Sequence, residues 1–309
     1  MALLFASLAC MSDIGSKPLE YWYAIKYPQG FKYSFGFPGQ SLTQSPYDMQ
    51  DTDRGTLTWT MKQLWQDNVS YVIYNDESPL NKSYNPSYGH TKGIVATDGI
   101  QGFWLQHSVP KWPLGPTYTS SYEGLTSNGF DYGQHFFCIT LSQSEIDRLA
   151  YHLQLNHPNI QDSQIGPEAP QNMTALAAGH HSTSPICDTI MLRTDSHDWT
   201  IFAKTSQWNN ELYSECIEPK LNEPLEVESW IRGSACKPTS TVHDVKEVEF
   251  NNHTWTEYAD HSKWAVGKRS TCFSDINRMT TQAVRGGGAI CVDDGQIYDD
   301  FSKAVLKYQ

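Results

Sequence analysis

The sequence predicts an α/β sandwich of two similar halves around one central cleft, and three observations carry that expectation. Strand-like and helix-like segments alternate along the chain, each half carries one H-x-K motif beside a strand, and a stretch rich in Pro, Gln and Asn separates the halves. The expected boundaries are 10–155 for the first half, 156–174 for the linker and 175–309 for the second half, with 1–9 ahead of them. With 309 residues the chain can bury a sizeable core, and 39% hydrophobic against 18% charged residues excludes a disordered chain. No apolar run beyond the first dozen residues is long enough to span a bilayer.

Period-2 alternation predicts a strand over 19–27, and the pattern over 56–67 predicts a helix. A buried strand over 69–74 leads into a polar loop, 75–89, that delivers His90-Thr-Lys92 to a strand over 93–96. The turn at Asp98-Gly99 folds that strand back on another over 102–108 as a hairpin. A strand over 132–141 precedes a helix over 142–155, where Ser142 and Glu145 have the spacing of a capping box. In the second half come strands over 199–204 and 225–230 with a helix or loop over 209–217 between them. His261-Ser-Lys263 with a strand over 264–266, a turn at 274–278, Arg285-Gly-Gly-Gly288, a strand over 289–292 and a terminal helix over 295–307 follow.

The apolar run Ala2 to Met11 reads as the tail of a truncated signal peptide or, since no basic residue precedes Lys17, as a first strand. Sequons at Asn68, Asn81, Asn172 and Asn252 favour the secretory pathway. Seven cysteines without a C-x-x-C pair argue against a zinc ribbon or thioredoxin motif and for dispersed disulfides, with at least one thiol unpaired or paired to another chain. A formal net charge of −12 at pH 7 has the wrong sign for gripping a polyanion. Protonating the eleven histidines alone would bring −12 to −1, so a nucleic-acid ligand demands an acidic compartment.

Metal-free phosphodiester cleavage needs a nucleophile, an acid for the leaving oxygen and cations on the non-bridging oxygens. His90 with Lys92 and His261 with Lys263 supply those groups, because a lysine two residues along a strand shares the histidine's face. Asn75 and Asn277 read equally as amide donors to phosphate and as turn residues. Asp98 and Asp275 read as carboxylates orienting the histidines, although an Asp-Gly turn explains Asp98 at least as well. The glycines 286–288 lack a following Lys-Ser/Thr and read as a close approach of backbone, not a phosphate loop. His180-His181 reads as structural, and Trp22, Trp104, Trp112 and Trp264 as core.

The stretches Tyr74-Asn-Asp76, Gly89-His-Thr-Lys-Gly93, Gly102-Phe-Trp-Leu105, His107-Ser-Val-Pro110, Asp260-His-Ser-Lys-Trp264, Asp275-Ile-Asn-Arg278 and Arg285-Gly-Gly-Gly288 resemble the deoxyribonuclease II family, from about Cys10 to Gln309. The resemblance implies a pseudo-dimeric phospholipase D type fold, DNA as substrate, an acidic optimum, no metal or other cofactor, and products ending in 3′-phosphate. It also implies a phosphohistidine on one motif histidine, here His90, with His261 protonating the leaving oxygen and both lysines holding the phosphate. A lysosomal or secreted location follows from the same likeness. It further suggests disulfides Cys10–Cys138 and Cys272–Cys291; at Cys236, whose family equivalent commonly pairs with a cysteine past the last helix, the chain departs from that pattern, so Cys187 and Cys216 read as an added pair with Cys236 free, exchange among the three remaining open. A catalytically silent DNA-binding relative and a phospholipase of the same chemistry are the alternatives; the intact motifs disfavour the first, and the absence of an apolar membrane-docking stretch the second.

Overall fold

Two large, mostly antiparallel sheets organise the protein. The computed structural model describes residues 7–13, 17–80 and 85–309; the first half of the apolar run Ala2–Met11 and the Asn81 sequon therefore lie outside the described residues. A short pair, β1 (Cys10–Met11) with β2 (Pro18–Leu19), opens the chain. The first sheet follows: β3 (Tyr21–Lys26), β4 (Lys32–Phe37), β5 (Gln40–Asp48), β6 (Ser70–Asn75), β7 (Lys92–Thr97), β8 (Gln101–His107), β9 (Gln134–Ser142) and β10 (Ile160–Gln164). Its spatial order is β10-β6-β7-β8-β9-β3-β4-β5.

The second sheet is built from β11 (Cys187–Arg193), β12 (Asp198–Lys204), β13 (Leu225–Ser229), β14 (Val242–Phe250), β15 (His253–Thr256), β16 (Lys263–Val266), β17 (Ser270–Ser274) and β18 (Gly287–Asp293). They lie in the order β11-β12-β18-β17-β16-β13-β14-β15, and β19 (Val305–Tyr308) adds to β14. Among the described strands only β13 and β14 pair in parallel. Helices α1 (Thr56–Met61), α2 (Gln143–Leu153), α3 (Gln171–Ala177), α4 (Glu218–Leu221) and α5 (Gly295–Ser302) are fewer and shorter than strict alternation implies. Hairpin turns replace helical crossovers between most strands, as antiparallel pairing permits.

A shared core seals the facing sheets: Tyr23, Trp104 and Phe137 from the first pack with Trp199, Trp264 and Phe273 from the second. Phe137 stacks on Phe273 at 4.7 Å between ring centroids, so the two sheets meet directly. Separate apolar layers cover their outer faces, one around Trp22, Trp112 and α1, the other around Tyr213 and Val227. The four tryptophans read as core are all buried.

Several local expectations change. The 156–174 segment does not merely link: β10 pairs with β6, so the first sheet extends past the expected boundary before the chain crosses over at α3. Ser142 caps α2 by accepting from the Glu145 amide, but the Glu145 carboxylate turns to Arg148 at 2.8 Å, leaving half a capping box. Helix α1 takes its first cap from afar, where the Thr56 amide donates to Asp13, and it tightens into a 3₁₀ turn, Lys62–Trp65. The terminal helix stops at Ser302, because the β-prone residues of β19 find a free edge on β14.

Disulfides join Cys10 to Cys138 and Cys272 to Cys291, as the family likeness suggests, and Cys187 to Cys216 as the added pair, leaving Cys236 free where the chain departs from the family pattern. Asn68 and Asn252 stand exposed in turns with left-handed backbone. Asn172 differs: it sits half-buried in α3 with its amide donating to Asp147 at 2.9 Å.

Candidate active site

Each H-x-K motif enters the structure where a strand begins, with its lysine as first strand residue: Lys92 opens β7 and Lys263 opens β16. Each is also held by the opposite half. The His90 amide donates to Gly286 O at 2.8 Å, and the His261 amide donates to Gly133 O at 2.9 Å. Close backbone approach at the first anchor requires glycine, since a Cβ on Gly89 or Gly286 would meet Asn156 O at 1.9 and 2.3 Å. The glycine run therefore serves packing, as its sequence context implies. At the second anchor Asp260 accepts from Trp255 Nε1 at 2.7 Å and from the Ser262 amide at 2.8 Å, fixing the turn that presents His261.

Around His90, Nδ1 donates to Gln282 Oε1 at 2.8 Å, which leaves the lone pair on Nε2. Asp76, buried, binds the Lys92 ammonium and lies 3.0 Å from Arg285 Nη2 and 4.0 Å from His90 Nε2. Burial alone would raise its carboxyl; the cations of Lys92 and Arg285 overcome that and hold it well below the usual carboxylate range. Burial pushes His90 well below its ordinary value, Lys92 adds to the fall, and Asp76 opposes it. His90 is therefore neutral in the free protein.

His261 stacks on Tyr132, with centroids 4.1 Å apart and planes 6° from parallel, and meets Trp230 at 3.9 Å. Burial and then the charges of Lys263, Lys92, Arg232 and Lys26 push its imidazole down to about 2. Lys263 donates from Nζ to His261 O at 2.7 Å, and its own amide donates to His135 Nδ1 at 3.0 Å. Burial, reinforced by Lys92, brings its ammonium down to about 7. Lys92 thus acts electrostatically on His90, His261 and Lys263 together, which places both motifs around one centre.

Asp275 also lies at that centre. Its carboxylate accepts from Thr91 Oγ1 at 2.8 Å and from Gln106 Nε2 at 3.2 Å, so it fixes the residue between His90 and Lys92 without touching a histidine. Burial raises it to about 6, with Lys92 and Lys263 opposing. Asn277 is buried nearby, its Oδ1 without a partner among the described residues.

Two candidates belong elsewhere. Asp98 stands at the far end of β7, where Oδ1 accepts from the Ile100 and Gln101 amides and Oδ2 from Leu8. Six strand residues put it about 20 Å from Lys92, so it is a turn residue and orients no histidine. Asn75 spends both amide hydrogens on Val109 O and Trp112 O, at 3.0 and 2.8 Å, and is a structural pin.

Other neighbours were not singled out by sequence: Asp76, Arg285, Gln282, His107, His135, Tyr132, Trp230 and Arg232. Asp76, His107 and Arg285 lie within the segments 74–76, 107–110 and 285–288 that carry the family resemblance, a usable signal; Gln282, His135 and the aromatic wall carry no local pattern. His107 and His135 are fully buried, and burial, followed by nearby lysines, keeps both well below the ordinary imidazole value. His181 stacks on His157 at 3.7 Å. Among the described residues no cluster of three His, Cys, Asp or Glu side chains is arranged to hold a metal ion.

Residues 9–309 match the family model described as deoxyribonuclease II. Plancitoxin-1 of Acanthaster planci is 29% identical, over 98% of this chain and 92% of that protein. The human deoxyribonuclease-2-beta is 28% identical over 98% and 92% of the two chains, and deoxyribonuclease-2 of Caenorhabditis elegans 32% over 85% and 80%.

Proposed function

Because the chain belongs to the deoxyribonuclease II family and is an acid DNA endonuclease, we propose that His90 and His261 divide the chemistry of phosphodiester cleavage between them, with Lys92 and Lys263 holding the phosphate. The observation that carries this reading is the meeting of both motifs around one buried centre, each at a strand entry and each anchored by the other half. The same arrangement supports a pseudo-dimeric phospholipase D type architecture, with the cleft between the motifs.

In the proposed sequence, His90 Nε2 attacks phosphorus and the bond to the 5′-oxygen breaks, while His261 delivers a proton to that oxygen. Gln282 keeps the proton on Nδ1 of His90, which leaves Nε2 nucleophilic. Water then attacks the phosphohistidine, giving its proton to His261 and releasing a 3′-phosphate. Lys92, Lys263 and the Asn277 amide stabilise the non-bridging oxygens, and Asp275 positions the His90–Lys92 segment through Thr91.

No metal or other cofactor has a part in this scheme. An acidic lysosomal or extracellular setting suits it: three disulfides and exposed sequons at Asn68 and Asn252 support passage through the secretory pathway. The test is plasmid cleavage in excess EDTA at about pH 5 and about pH 7.5. Nicking at the acid pH that is lost in His90→Ala and His261→Ala is expected. Activity that requires magnesium would overturn the mechanism.

A further inference from the structure

Beside His261 the structure carries a side-chain cluster that the chemistry above does not use. The guanidinium of Arg232 lies over three aromatic rings, 5.2 Å from Trp230, 5.4 Å from Tyr258 and 6.0 Å from Tyr132. Arg232 and Tyr258 are exposed, whereas Trp230 and Tyr132 reach inward to contact His261. Among the described residues Arg232 forms no ion pair, and its one hydrogen bond runs from Nη2 to Tyr258 O at 2.6 Å. Stacking occupies the flat face of a guanidinium and leaves its in-plane donors open. An arginine so held presents a fixed fork to the solvent at the mouth of the site.

Its placement has a cost for the free protein. Arg232 is among the charges that depress His261, so in a chain of net charge −12 an unpaired cation stands where it hinders protonation of that histidine. An anion bound at the fork would reverse the effect. DNA brings one on each side of the scissile phosphate, together with bases that stack on exposed rings.

Building on the nuclease reading above, we propose that Arg232 and Tyr258, braced by Trp230 and Tyr132, form a subsite for the nucleotide next to the scissile phosphate on the His261 side. Arg232 pairs with that nucleotide's phosphate, and the Tyr258 ring takes its base.

The experiment measures binding of a fluorescent single-stranded octadeoxynucleotide, at about pH 5 in EDTA, to protein carrying His90→Ala so that no cleavage intervenes. Arg232→Gln should weaken binding about tenfold at low salt and reduce the slope of log affinity against log salt by about 0.7, the share of one phosphate contact on a single strand. Tyr258→Leu should weaken binding by about fivefold with the slope unchanged, since stacking releases no counterions. Arg232→Lys should keep the slope and lose part of the affinity. Unchanged affinity and slope in Arg232→Gln, or an octanucleotide that does not bind the parent, would overturn the subsite. Failure of the nuclease mechanism reads out separately, as metal-dependent cleavage or as His variants that still cut plasmid.

Discussion

The dependence of kcat/KM on pH follows from the charges packed around His261. In the free protein its imidazole is held down to about 2 by burial and by Lys263, Lys92, Arg232 and Lys26, so at pH 5 about one molecule in a thousand carries the proton. The proton must therefore arrive with the substrate. Three pH units cost about 4 kcal/mol, and one phosphate charge about 4 Å from the imidazolium returns a similar amount at an effective dielectric of about 20. Lys263, brought down to about 7 chiefly by burial, is charged below that pH and loses its charge as the pH rises through it. Log kcat/KM should then fall with a slope of about −1 through mild acid and of about −2 above neutrality, where two protons must be regained. Initial rates on plasmid in EDTA from about pH 4 to pH 8.5, at low and moderate salt, give both slopes. Long-range repulsion from a net charge of −12 would be partly relieved by salt, whereas missing protons would not. A profile flat through mild acid, or salt rescue at neutral pH, would refute the proton-uptake argument; a constant slope of −1 would remove Lys263 from the neutral limb.

Further expectations concern the same residues and the frame that holds them. His90→Ala and His261→Ala should each lower plasmid cleavage by about 10³-fold or more with the circular dichroism of the parent, and the double variant should lose little beyond either single one; wild-type-like rates in one would remove that histidine from the chemistry. Loss of the Cys10–Cys138 link, closing 128 residues, should cost about 5 kcal/mol of stability against about 3 for Cys272–Cys291, closing 19, in a loop-entropy picture; urea titration of the two Cys→Ala pairs decides the order. Glu228, fully buried with both oxygens unpartnered among the described residues, is raised well above its ordinary value by burial and then by Asp260 and Glu257. A carboxyl raised on folding contributes its full stability below its unfolded pKa and loses it as pH rises through the folded one, so Glu228→Gln should raise the melting temperature at pH 7 and change it little at pH 4, and an equal shift at both would contradict the assignment.

What the sequence made legible was local chemistry with local geometry. The i, i+2 spacing of each H-x-K motif survives as a histidine and lysine at a strand entry, and the Asp98-Gly99 turn forms its hairpin. Asp98 misled because an acidic residue six positions from Lys92 is near in sequence, while an extended strand carries it about 20 Å away. Asn75 misled differently: it flanks the site, but its buried amide must satisfy two loop carbonyls before it can serve a ligand. The 156–174 segment is polar because β10 is an edge strand with one face in solvent, a composition that linkers share. Gln282 and His135 reach the motifs across the two halves, 192 and 128 residues away, so no window of sequence could show them.

The acidic balance of the chain and its anionic substrate are reconciled by where the charges lie. Lys92, Lys263 and Arg285 are buried at the centre, where a cation is screened least. Two carboxyls that feel these lysines, Asp260 and Asp275, are each raised by burial. A raised carboxyl is neutral in acid and negative above its folded value, so falling pH strips negative charge from behind the motifs while the lysines keep their positive charge. The potential that a phosphate meets therefore grows with acidity at the site itself, in addition to the general gain from protonating surface histidines. Asp275 ties this to geometry: raised to about 6 and bonded to Thr91, it is the carboxyl whose state changes within the working range and whose partner lies between His90 and Lys92. Acid dependence in this protein is thus built into the packing of the cleft, and a surface redesigned to a positive net charge should bind DNA at neutral pH without recovering the acid rate.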